Sequence, residues 1–325
     1  MPKISDSHKT KIRKKVEARR KTRNFAPPSF PDSIVLEYGK AIINEVNAID
    51  RLVKEILYPH LNNITNTKKE RLDDFTLKNL TGVTLVAELM RRIKSKFYAE
   101  FLDIDQEPSQ RLFTRSARRM SSKFLKRTKE TTEKKFVAEF KRQTGTEPLP
   151  QQLNVDEFVK DATRKNVALI KTIPTRYFSQ IQTLTEQAVD RGQLTRELKT
   201  ELSKIKETTK NSSRLIARDQ ISKMTGVLNE ARQRKLGVTE YIWRTQNDSR
   251  VRSFSNTNST SDHARLEGSI QSWQSPPQTV FRGKRSGERN HPTQDIQCRC
   301  TAQPVFDEIT GVSHNDTVKA RNKIA

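Results

Sequence analysis

The residues best placed to do chemistry lie between Leu236 and Pro304, a stretch that holds both tryptophans, both cysteines and two of the five histidines. Cys298 and Cys300 stand two apart in QCRCT, so on an extended backbone both sulfurs face one side and Arg299 the other. That direction suits two ligands of one tetrahedral zinc ion, with His263 and His291 as the remaining pair. The competing reading makes both cysteines small buried residues of a strand. They are poorly placed to bond each other, and as the chain has only these two a disulfide framework is excluded. Asp262-His263 and Asn290-His291 also hold ingredients of a metal-dependent nuclease, with His263 as base and His291 as ligand, but no further carboxylates cluster around them. Asp248, in NDS, reads as a turn residue or as the partner of Arg250 or Arg252.

The elements that must position these groups change character at Gly237, which has the place of a helix C-terminal glycine. Beyond it TEYIWRTQ alternates like a strand, and Gly268, Pro276, Pro277, Gly283, Gly287 and Pro292 break the rest into short pieces. A small irregular unit of this kind buries little surface alone, so it needs a structural metal or the packing of the preceding helix.

Before Gly237 the pattern is helical. Val35, Ile42, Val46, Ile49, Val53 and Ile56 share one helix face that ends at Tyr58 and Pro59, and Val86, Leu89, Ile93 and Phe97 share another. Later helices are expected to stop near Pro174, to resume over Tyr177 to Ala188, and to close at Gly192. Leu194, Leu198, Leu202 and Ile205 continue the spacing, and Asn211 or Ser212 reads as the N-cap of a last helix through Ala217, Ile221, Met224, Leu228 and Ala231. The fold class is therefore α+β and mainly α, with long helices in hairpins or a bundle followed by a small β-rich module. The expected organisation is a basic arm and hinge (1–33), a basic helical region (34–145), a helical stalk or bundle (146–237), the β-rich module (238–308) and a tail (309–325).

Lys and Arg number 62 against 38 Asp and Glu, a formal charge of +24. Such an excess repels itself unless it meets a polyanion, and nucleic acid is the commonest one. Met1 to Asn24 carry ten Lys or Arg, among them Lys11, Arg13, Lys14, Lys15, Arg19, Arg20 and Lys21, against Asp6 and Glu17. This arm suits a DNA backbone or an acidic protein surface. A second basic run, Arg111 to Arg142, places Arg118, Arg119, Lys123, Lys126 and Arg127 off the apolar face of a helix, which makes it a DNA-facing helix or a solvated one. No apolar run approaches the about 20 residues that span a bilayer and no signal-peptide pattern opens the chain, so a cytoplasmic protein without membrane contact is expected.

The order RLIARDQISKMTGVLNEARQRKLGV, YIWRTQNDSRVR, H-x-x-L-x-G at His263 to Gly268, and HPTQDIQCRC with a proline four residues on resembles the phage minor head protein family, the Mu F-like head morphogenesis domain. The resemblance covers about Ser212 to Phe306. It implies a minor capsid component that contacts portal protein, capsid proteins and DNA, located in the virion and, during assembly, in the host bacterial cytoplasm. The family's recurring positions fall on Arg218, Trp243, Asp248, Arg252, His263, Gly268, His291, Cys298, Arg299 and Cys300. In the family the histidine follows the D-x-R-x-R segment closely, whereas here a Ser, Asn and Thr loop intervenes. The insertion leaves open whether Arg252 and His263 share a site, although a flexible loop costs little entropy per added residue. The implied role is a non-enzymatic head component, set against a metal-dependent nuclease and a scaffold that never touches DNA.

Overall fold

The computed structural model describes residues 30–62, 82–100, 109–191, 193–255 and 259–305. The arm residues Lys11 to Lys21, the 309–325 tail and Gly192 lie outside them. Among the described residues five long helices precede three short strands: α1 (Asp32–Leu57), α2 (Gly82–Glu100), α3 (Ser109–Thr144), the one-turn α4 (Pro150–Leu153), α5 (Asp156–Arg191) and α6 (Thr195–Lys235), then β1 (Glu240–Arg244), β2 (Ile270–Ser272) and β3 (Thr301–Pro304). The α+β, mainly helical fold class is borne out.

By its internal contacts the described chain forms two compact units. One comprises the described parts of Val35–Phe124 and Ala162–Arg218; the other takes Leu125–Asp161 and the described parts of Met1–Ile34 and Asp219–Ala325. In the first, Tyr38, Ile42, Val46, Ile49 and Val53 form the buried face of α1, as the spacing requires. Its interior also contains polar links. Tyr38 Oη donates to Asn166 Oδ1 at 3.0 Å, Tyr177 Oη donates to Asp50 Oδ1 at 3.2 Å, and Lys206 Nζ donates to Asp50 Oδ2 at 2.6 Å. Burial raises the Asp50 carboxyl, but the bonds and charges of Lys206 and Lys54 prevail and hold it below its ordinary pKa. Its stabilisation is therefore present above the unfolded-state pKa and is lost as pH falls through the lower folded value. Asp50→Asn is expected to cost about 1 kcal/mol at neutral pH and to flatten that acid limb in a urea titration followed by circular dichroism.

Two helix boundaries differ from those read in the sequence. Pro174 lies inside α5 rather than ending it, because Ile170, Ile173, Tyr177, Phe178 and Ile181 on both sides are buried and together outweigh the about 3 kcal/mol that an interior proline costs. Asn211 and Ser212 do not cap a helix, since α6 runs unbroken through them. Asn211 Oδ1 instead accepts from Arg214 Nη1 at 2.6 Å, and no glycine or proline interrupts α6 before Gly226. Gly237 ends α6 as expected, with φ +79° and the paired bonds Val238 N to Gln233 O and Gly237 N to Arg234 O.

In the second unit β1 is the central strand of an antiparallel sheet ordered β2-β1-β3. Tyr241 and Trp243 point into the core while Ile242 faces the other side, the alternation that marked this stretch as a strand. The preceding helix holds the sheet directly. Gln233 Nε2 donates to Ala302 O at 3.1 Å, Trp273 Nε1 donates to Gln233 Oε1 at 3.0 Å, and Asp219 Oδ1 accepts from Gln297 N at 2.7 Å. Arg232 is fully buried where α6 meets α3, its guanidinium on Thr132 Oγ1 at 2.9 Å and Glu133 Oε2 at 3.3 Å.

Candidate functional site

The apolar core of the module is Tyr241, Trp243, Leu266, Trp273, Cys298, Cys300 and Ala302. β1 supplies the first two, and the lead into β3 supplies the cysteines with Arg299 between them facing outward, as the C-x-C spacing predicted. His263 precedes a 3-10 turn, Ala264–Leu266, that turns its ring inward against Trp243, edge-on at 5.6 Å between centroids.

Three of the four expected ligands meet. His263 Nδ1 lies 3.5 Å from Cys298 Sγ and 3.7 Å from Cys300 Sγ, and the three donor atoms stand within 4.8 Å of one another. All three residues are 2–4% exposed. The other ring nitrogen, Nε2, lies 3.2 Å from Asp295 Oδ2. Asp295 is itself buried and is tied to Arg252 Nη1 at 3.4 Å, Arg285 Nη2 at 3.2 Å and the Ile296 N–H at 3.0 Å. Burial disfavours charge on His263, yet its bonds to Asp295 and Cys298 push it up to about 9, while His263 and Arg252 hold Asp295 down to about 2 against its burial. The bond from Cys300 pushes the Cys298 thiol well below its ordinary value, and the same contact, with burial, pushes Cys300 well above.

His291 is not a fourth member of this group. Its Nδ1 is 2.9 Å from Tyr241 Oη, its ring packs on Trp273 at 4.9 Å, and it hydrogen-bonds the Trp273 backbone. The Asp262-His263 and Asn290-His291 pairs therefore do not assemble around one metal. Asp262 Oδ1 receives the Arg265 N–H at 3.3 Å, and Asn290 Nδ2 donates to Thr279 Oγ1 at 2.9 Å.

The remaining motif positions hold the frame. Asp248 is a turn residue whose side chain accepts the Arg250 N–H at 3.1 Å, and its carboxylate takes a two-pronged contact from Arg299, at 2.8 and 2.5 Å. Arg299 first, then Arg250, hold that carboxyl well below the usual range. Arg252 pairs with Asp295 and with the Ile296 carbonyl rather than with Asp248, and its own carbonyl accepts the His263 N–H at 2.9 Å. Arg252 and His263 thus share one site despite the inserted loop. Gly268 has φ +75° and donates its N–H to Trp243 O at 2.9 Å, a turn that a side chain would strain. Arg218 is half-buried on α6. Asp295, Glu267 and Gln233 escaped the sequence reading. Glu267 accepts from Thr245 Oγ1 at 2.7 Å and Arg244 Nη1 at 3.2 Å.

This frame of α6, β1, the histidine turn and the C-x-C strand coincides with a known family. Residues 179–303 match phage Mu protein F like protein. The Mu F-like segment starts within α5 and ends within β3, so it takes in all of α6 as well as the module. An uncharacterized protein of Haemophilus influenzae is 29% identical over 213 residues, which cover 65% of this chain and 44% of that protein. The chain thus spans less than half the length of this curated relative. No solved structure matches. Among the described residues no helix is long and apolar enough to cross a membrane.

Proposed function

We propose that the protein is a phage head morphogenesis protein: a non-enzymatic minor component of the virion that meets portal and capsid proteins and contacts packaged DNA. The match of residues 179–303 to phage Mu protein F like protein carries this reading. The charge of +24 supports the DNA contact, because an excess of this size favours a polyanionic partner. On α3 the side chains of Arg118, Arg119, Lys123 and Lys126 are exposed while Ala117, Ser121, Phe124 and Leu125 are buried, so these basic groups lie on the face opposite the buried one. Arg127 is partly covered.

Phosphate contacts of this kind are independent of sequence and release counterions. DNA retention by the purified chain is expected to fall steeply with salt, and replacing Arg118, Arg119, Lys123 and Lys126 together by Gln is expected to lower the slope of log affinity against log salt by about 3–4. Deletion of Met1 to Asn24 measures the arm separately. Retention that ignores salt, or is unchanged in both variants, would leave a scaffold without DNA contact as the better account. Immunogold labelling of assembled particles at the portal vertex tests the location, and label spread over the outer shell refutes it.

A further inference from the structure

His263 presents one nitrogen to two sulfurs at nearly equal distance, 3.5 and 3.7 Å. Nε2 is engaged by Asp295, so Nδ1 is the nitrogen turned toward the two sulfurs. Without an ion, this one nitrogen can make a good hydrogen bond to only one of the two sulfurs at a time. A divalent cation between the three atoms resolves the conflict, since it displaces the ring and thiol protons and bonds the nitrogen and both sulfurs together. The spacing agrees: sulfur at about 2.3 Å and nitrogen at about 2.0–2.1 Å from a tetrahedral zinc stand about 3.6 Å from each other.

We infer that His263 Nδ1, Cys298 and Cys300 bind one zinc ion, with Asp295 as the outer partner that orients the imidazole. Two thiolates and an imidazole form a soft donor set that suits zinc rather than magnesium or calcium. The carboxylate behind the histidine is the arrangement that fixes tautomer and ring direction in zinc sites. Among the described histidines, cysteines and carboxylates none supplies a fourth ligand. The same residues in the order Cys298, His263, Asp295 also resemble a nucleophile, base and orienting acid, but all are buried out of reach of a substrate. A structural ion also accounts for what holds the module: it joins the turn after the inserted loop to the strand lead 35 residues further on, across backbone with little regular structure. This inference does not depend on the head-protein reading.

The test uses the full chain, purified under reducing conditions without chelator. Elemental analysis is expected to find one zinc per chain, and cobalt(II) exchange to give the intense thiolate-to-cobalt absorption of a tetrahedral site. Cys298→Ser and Cys300→Ser should lose the metal, whereas His291→Gln should keep it. Asp295→Asn retains every ligand and should weaken zinc by about 10–100-fold in competition with a chromogenic chelator, which keeps the idea testable if the cysteine variants fail to fold. A folded wild-type chain with no zinc and no cobalt band overturns the site. So does zinc that persists at full occupancy in folded serine variants, or an Asp295→Asn chain with unaltered affinity.

Discussion

Gly226→Ala is expected to destabilise the C-terminal unit by about 2 kcal/mol, although helix propensity alone favours alanine over glycine by about 1 kcal/mol. Gly226 lies in the interior of α6, and a Cβ there would stand 1.7 Å from Thr293 Oγ1, 2.9 Å from Thr293 Cβ and 3.1 Å from Pro292 O. The obstacle is a short branched side chain and a carbonyl, neither of which can swing aside like the end of a lysine. Thr293 is itself held at φ +73°, a conformation that a β-branched residue adopts only under constraint, so the turn has little room to yield. That turn also carries the Thr293 N–H to Cys298 Sγ contact at 3.4 Å, which links the helix approach to the cysteine site. Trp243 and Trp273, the only tryptophans in the chain, both lie in this unit, so fluorescence in a urea titration reports on it alone. Adding Thr293→Gly should recover most of the loss, because it removes the obstacle and suits a positive φ. A single variant at least as stable as the parent would mean that α6 does not approach the turn this closely.

Gly226 also shows where sequence reading stops. The helical faces and the strand at Glu240–Arg244 were legible because their apolar residues repeat with the period of the element that buries them. Glycine in a helix has no such signature, and its reason is a turn 67 positions away. Pro174 and Asn211 misled because local rules price a proline or suggest a cap without knowing which face the finished unit buries. Residue type picked out Cys298, Cys300 and His263, and the period-two rule placed the two sulfurs together. It could not separate His263 from His291, since each histidine takes its role from partners distant in the chain: Asp295 and two sulfurs for one, Tyr241 and Trp273 for the other. Asp295 sits three residues before Cys298, a spacing with no rule attached, and only the buried contacts to His263, Arg252 and Arg285 reveal it.

Lowering the pH from about 7 to about 5 is expected to cost this unit about 2 kcal/mol through His291 alone. Burial, reinforced by the nearby charge of Arg234, holds His291 down to about 4 against its bond to the Trp273 backbone. The ring is only 6% exposed, so solvent screens little of this. As a neutral imidazole it satisfies both neighbours, with Nδ1 accepting from Tyr241 Oη and the other N–H donating to the Trp273 carbonyl. Protonation would turn Nδ1 into a second donor facing a hydroxyl, inside a wall of aromatic rings. Because the folded value lies below the unfolded one near 6.5, the unfolded chain binds the proton first. Stability is therefore full at neutral pH and declines as pH falls through about 6.5 toward about 4. His291→Gln starts from a lower stability, having lost the ring, but should show a flatter decline over this window by tryptophan fluorescence. Acid also strips metal from thiolates, yet it does so in both chains, so the difference between the two slopes isolates His291. Equal slopes would mean that His291 is charged or solvated in the folded protein, and the neutral role given to it here would fall.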